Sequence, residues 1–158
     1  MSDSTMVDEE GKVTLFTDNL DTEYLLLLLY KSNTIDRNEL LYEVADYNFS
    51  NYVIQTYDLS FETDPPYDIL QMKGFGTFAN VRSYLNKAFV QGGLISKIDT
   101  TIMVVPISVE NYTKALPRMG MAQYMAFVEE HYEALLPQLI AYWNKKEVLQ
   151  DVSAIEPE

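Results

Sequence analysis

Tyr24-Leu25-Leu26-Leu27-Leu28-Leu29-Tyr30 is an uncharged apolar run. A run of this length is a buried strand or a buried helix segment, and periodicity alone does not separate the two. The residues that follow do. Ser32-Asn33-Thr34 are turn formers, and Asp36-Arg37-Asn38-Glu39 opens an amphipathic helix with an acidic N-cap and a glutamate at the third helical position. The run therefore reads as a strand, residues 23–31, that feeds a helix.

Outward from that strand the same order repeats. The first helix spans about 37–48, with Leu40, Leu41, Val44, Ala45 and Tyr47 on one side, and Asn48-Phe49-Ser50-Asn51 breaks it. Residues 52–63 alternate, with Tyr57, Leu59 and Phe61 against Thr56, Asp58, Ser60 and Glu62, as a half-buried strand requires. Asp64-Pro65-Pro66-Tyr67 is a turn, and residues 68–73 return as the other arm of an antiparallel hairpin. Gly74-Phe75-Gly76 ends that arm. Thr77 caps a second helix with Phe78, Val81, Leu85, Ala88 and Phe89 on its buried stripe, and Gly92-Gly93 closes it. Residues 100–107 form a fourth strand bounded by Pro106.

This order predicts an α+β fold: a ferredoxin-like βαββαβ sandwich whose four-stranded sheet is antiparallel, with the first and third strands central and both helices on one face. The leucine run suits a central strand covered on both sides. A C-terminal helical extension follows. Ser108 caps a segment at 109–116, residues 117–120 turn, a helix covers 121–136 with Tyr124, Met125, Val128, Tyr132 and Leu135, and Pro137 starts or kinks a further turn with Leu139, Ile140 and Trp143. The expected organisation is a flexible acidic leader at 1–12, the core at 13–107, C-terminal helices packing on the core at 108–149, and an acidic tail at 150–158.

Composition narrows the function classes. The chain has 158 residues, 47% hydrophobic, enough for one domain with a real core. A formal net charge of -13 argues strongly against nucleic acid, whose recognition needs a basic footprint, and disfavours anionic lipid. With no cysteine there are neither disulfides nor thiolate metal sites. No apolar stretch approaches the ~20 residues of a membrane span, so no direct membrane insertion is expected. Residues 1–11 are polar and acidic, without the basic start and apolar stretch of a signal peptide, so no signal sequence is expected in this chain.

No constellation of residues announces a reaction. His131, the single histidine, sits in Glu129-Glu130-His131-Tyr132-Glu133 with no second histidine one turn away, and reads as helix surface rather than a ligand or base. Lys73-Gly74-Phe75-Gly76-Thr77 precedes a helix but lacks the glycines and trailing lysine of a phosphate loop. The third strand, with Ile69, Gln71 and Lys73, has no aromatic platform for RNA. Arg37 follows the first strand in a capping segment, without the glycine loop of an acylphosphatase. Met119, Met121 and Met125 read as core gap-fillers before a partner groove. Neither a cofactor, a metal site nor a catalytic residue is expected.

Several segments carry a resemblance: Glu23-Tyr24-Leu25-Leu26-Leu27, the helix Asn38-Glu39-Leu40-Leu41-Tyr42-Glu43-Val44-Ala45-Asp46-Tyr47-Asn48-Phe49-Ser50, Lys73-Gly74-Phe75, Val105-Pro106-Ile107-Ser108-Val109-Glu110-Asn111-Tyr112, and Gln123-Tyr124-Met125-Ala126-Phe127-Val128-Glu129-Glu130-His131-Tyr132. On these the chain resembles the C-terminal module of Bacteroidetes tetratricopeptide-repeat lipoproteins of the gliding-motility and type IX secretion family. The resemblance implies a non-enzymatic module at the end of a repeat scaffold, periplasmic and associated with the outer membrane. This chain departs from that pattern in lacking the repeats and in continuing past Tyr132.

The expected function is accordingly a protein-interaction or scaffold module of the cell envelope, with a protein as partner. Its candidate contact residues are Thr56, Asp58, Ser60, Glu62, Gln71 and Lys73, the polar side of the second and third strands. They are available unless the C-terminal helices cross that side, in which case the sheet edge at the second strand and the outer helix faces remain. The alternative is a peptidoglycan-glycan-binding domain of the sporulation-related-repeat type, an analogy of fold alone.

Overall fold

A computed structural model describes residues 16–154 together with the pairs 6–7 and 13–14, and the side chains of residues 16–145. In chain order the elements are β1 (Met6–Val7), β2 (Val13–Thr14), β3 (Tyr24–Lys31), α1 (Arg37–Asn51), β4 (Asp58–Asp64), β5 (Tyr67–Phe75), α2 (Phe78–Ala88), a 3-10 turn (Leu94–Ser96), β6 (Met103–Ser108), a π-helical turn (Asn111–Ala115), α3 (Leu116–Met119), α4 (Met121–Tyr132) and α5 (Pro137–Ala154). β1 and β2 form a small antiparallel ladder, so Met6–Val7 of the expected leader is paired; the rest of the leader lies outside the described residues.

The main sheet has the order β4-β5-β3-β6, every pair antiparallel. The fold is α+β and ferredoxin-like, with the leucine strand β3 and its partner β5 in the middle. Leu25, Leu26, Leu27 and Leu28 are at most 3% exposed. Alternate residues of a strand face opposite sides, so both faces of the sheet are covered along β3. Each such leucine contributes roughly 1.5–3 kcal/mol by burial.

Tyr24, Leu26 and Leu28 share their side of the sheet with Leu70, Met72 and Val104, by the pairing register. Asn48 of α1 reaches Met72 on this side, and Phe78 of α2 packs on Tyr24 at 5.4 Å. α1 begins as expected: Asp36 accepts from the N–H groups of Asn38 and Glu39 at 3.1 and 3.2 Å. It does not break at Asn48. The Asn48 side chain points into the core, its Oδ1 accepting from the Tyr84 hydroxyl at 2.6 Å, and so does not compete with the helix backbone.

β4 starts at Asp58 rather than at 52. The intervening tyrosines are used for packing: Tyr52 stacks on Tyr84 and Tyr57 on Phe75. Gly74 permits this. It has φ +129°, and a Cβ there would lie 2.9 Å from the Thr56 carbonyl oxygen. The fourth strand is also shifted, to Met103–Ser108, with Pro106 inside it. A proline fits there because β6 is an edge strand and residue 106 turns its backbone nitrogen away from β3. The last two corrections concern the C-terminal part. The long helix ends at Tyr132, and α5 runs to Ala154, so residues 150–154 of the expected tail are helical while 155–158 lie outside the described residues.

Candidate functional site

The two edges of the sheet are the natural places to seek a contact, because an edge strand carries unpaired backbone groups. On β6 the Val109 N–H donates to Glu23 at 3.0 Å and Ile107 pairs with Leu25, which turns the odd-numbered residues toward β3. The carbonyls of Ile102, Val104 and Pro106 therefore face outward. All three are occupied. The Tyr142 hydroxyl donates to Ile102 at 2.6 Å, the Trp143 indole N–H to Val104 at 2.8 Å, and the Tyr124 hydroxyl to Pro106 at 2.6 Å. Burial pushes the Tyr124 phenol well above its ordinary range and Tyr142 up to about 12, so both remain donors at neutral pH. α4 and α5 thus seal this edge, and Arg82 of α2 ties them down by donating to the Leu135 carbonyl at 2.8 Å.

The face of the sheet away from α1 is closed over its β3–β6 half. Leu25, Leu27, Val105 and Ile107 lie there and are buried. Beyond Ser108, whose Oγ accepts the Asn111 N–H at 3.0 Å, the π-helical turn carries Tyr112 over to β4, where its hydroxyl donates to the Glu62 carboxylate. Burial, and then that carboxylate, raise the Tyr112 phenol above its ordinary range. The turn is anchored by Asn111, 1% exposed. Its amide accepts the Thr17 N–H at 3.0 Å and donates to the Thr17 carbonyl at 2.9 Å, pairing with the N-terminal segment as a strand would.

β4 is the opposite edge. The Ser32 N–H donates to the Pro66 carbonyl at 2.9 Å, which sets the even-numbered residues of β5 toward β3 and the odd-numbered toward β4. Asp58, Ser60 and Glu62 are registered with Lys73, Gln71 and Ile69, so these are the pairs joined by hydrogen bonds. The backbone groups of Leu59, Phe61 and Thr63 consequently face outward, and among the described residues no side chain meets them.

Of the six candidate contact residues, Thr56, Asp58, Ser60, Glu62 and Lys73 are exposed. Gln71 is not: it is 3% exposed, because the turn bearing Tyr112 crosses this face as far as Glu62. Thr56 precedes β4 rather than lying in it. The surviving acidic strip lies along β4. Reading the sequence missed the exposed apolar residues that precede it in the chain: Phe49, Val53 and Ile54 are 83%, 93% and 96% exposed, and Tyr42 69%. The signal was present. Tyr42 and Phe49 are seven positions apart, on the side of α1 opposite Leu40, Val44 and Tyr47.

Other candidates resolve into ordinary structure. His131 is exposed and lies against Phe127, ring centres 4.3 Å apart. At the glycine loop before α2 the first amides are taken: the Phe78 N–H donates to the Leu20 carbonyl and the Thr77 N–H to the Asn80 side chain. A depression of about 400 Å³ between α4 and α5 is lined by Ala126, Glu129, Glu130, Glu133, Ile140 and Asn144. Among the described residues no group of three His, Cys, Asp or Glu is placed to hold a metal ion, and no helix is long and apolar enough to cross a membrane. Met119, Met121 and Met125 are half-buried against the core.

Compared with family models, with curated proteins and with solved structures, the chain matches none.

Proposed function

We propose that the chain is a non-enzymatic protein-interaction module whose contact region is the β4 side of the sheet together with the α1–β4 connection. The observation that carries this reading is the exposure of Phe49, Val53 and Ile54, each above 80%, where the chain enters an uncapped acidic edge strand. Large apolar side chains held so fully in water, two of them consecutive in the chain, are costly to keep unless something covers them. Asp58 where the chain enters β4, and Glu62 and Asp64 farther along the strand, select the occupant: a protein segment with apolar anchors and basic flanks.

The resemblance to the terminal modules of tetratricopeptide-repeat lipoproteins supports placing this role in the cell envelope, on the periplasmic side, as part of a scaffold. The polar strip is a weaker match to glycan, because Asp58, Ser60, Glu62 and Lys73 offer no ring on which a sugar stacks and the exposed ring registered on that face is Tyr67, at its far end.

The test is capture from a cell-envelope extract with the chain and with its Val53→Ser/Ile54→Ser variant, beside sedimentation with purified sacculi. The expected result is a protein retained by the parent chain and lost by the variant, with neither chain pelleting. Equal capture by both chains, or clear co-pelleting with sacculi, would overturn the reading.

A further inference from the structure

We propose that β4 receives an extended segment of the partner as a fifth strand, and that this segment carries basic residues at alternate positions. This rests on the reading of the chain as a protein-interaction module and names how that contact is made. The backbone supplies the first part of the argument. β4 is seven residues long, carries no proline within it, and pairs with β5 without a register shift, so its outer rim is a straight row of groups from Leu59, Phe61 and Thr63. Bulges and internal prolines, which commonly blunt an edge, are missing from this strand, whereas β6 has both a proline and three aromatic caps.

Charge supplies the second part. Asp58 and Glu62 project from one side of β4 and Asp64 ends it; β4 itself contains no lysine or arginine, and the cations against it are Lys73, registered with Asp58, and Arg37, 4.4 Å over the Phe61 ring, so Glu62 and Asp64 carry the acidic row. A second copy of the chain would set this acidic row against itself and be repelled. A strand with lysine or arginine on the matching side gains both the ladder and the opposite charges. The chain's net charge of -13 adds a long-range field of the same sense.

The test uses the whole chain and a synthetic peptide as long as β4 that alternates lysine with valine, followed by amide NMR. The expected result is saturable binding that weakens as salt rises, with the largest shifts and new exchange protection at the amides of Leu59, Phe61 and Thr63. Thr63→Pro removes one outward N–H without touching a bond to β5, and should weaken binding about tenfold. The same peptide with glutamate in place of lysine should not bind. Absence of binding, shifts centred on Tyr42 and Phe49 instead, or undiminished affinity of Thr63→Pro would each overturn strand addition. If Val53 and Ile54 still governed capture from the extract, the interaction-module reading would stand without it. Binding of two copies to each other through β4, seen as concentration-dependent sedimentation, would likewise overturn the choice of a basic partner.

Discussion

Along β6, three successive outward carbonyls each meet an aromatic donor, Tyr142, Trp143 or Tyr124. Along β4, the outward groups of Leu59, Phe61 and Thr63 meet no side chain among the described residues and lie beside acidic side chains. The strands are the two rims of one sheet, and their difference lies in what the chain places next to each. The C-terminal helices carry rings that combine apolar bulk with one polar atom, which is the chemistry needed to bury a strand edge without orphaning its carbonyls. Among the described residues no comparable caps stand on β4; the connection that leads into it carries exposed Val53 and Ile54.

The sharpest way to break this contrast is to unseal β6. Trp143 is fully buried, so Trp143→Ala removes a large core side chain and the cap on Val104, and should cost about 3–5 kcal/mol in denaturant unfolding. A loss below about 1 kcal/mol would mean that α5 does not hold this edge. Tyr124→Phe keeps the ring but strips the donor from Pro106; the expected cost is about 1–2 kcal/mol, from a buried carbonyl left without a partner.

Alkaline pH tests the same edge without mutation. The Tyr142 phenol is raised from 10.0 to about 12 by burial and by the charge of Asp99. Its unfolded form loses the proton first, so the stabilisation is complete below pH 10 and disappears as pH climbs toward 12. The melting temperature should fall across that window as phenolate absorbance grows. A flat profile would contradict the donor roles. The smallest expected effect is at β4: Thr63→Pro should change stability by no more than about 0.5–1 kcal/mol, since the residue is exposed and its N–H is unpaired. A large loss there would show that β4 is not a free rim.

Element order and the central place of the leucine strand were legible because they rest on local signals: an uncharged run, an aspartate cap, a Pro-Pro turn, glycines at element ends. What was not legible depended on tertiary contacts. Asn48 looks like a helix breaker until Tyr84 and Met72 receive its side chain. Residues 52–57 run straight into the alternation of 56–62, yet Tyr52 and Tyr57 are drawn into an aromatic cluster with Tyr84 and Phe75. Gln71 follows the polar alternation of its strand, but its exposure was decided by Tyr112, which arrives from a turn forty residues later. The caps on β6 carry no sequence pattern at all, because the partners of Tyr124, Tyr142 and Trp143 are backbone oxygens of a distant strand.

The central claim, one sealed rim and one available rim, is tested most directly by residue-resolved amide hydrogen exchange on the free chain and on the chain saturated with the lysine-valine peptide. The account predicts rapid exchange at Leu59, Phe61 and Thr63 in the free chain, slow exchange at the paired amides of β3 and β5, and selective slowing of those three β4 amides when peptide is added. Strong protection of Leu59, Phe61 and Thr63 in the free monomer, or no change on adding peptide, would contradict it.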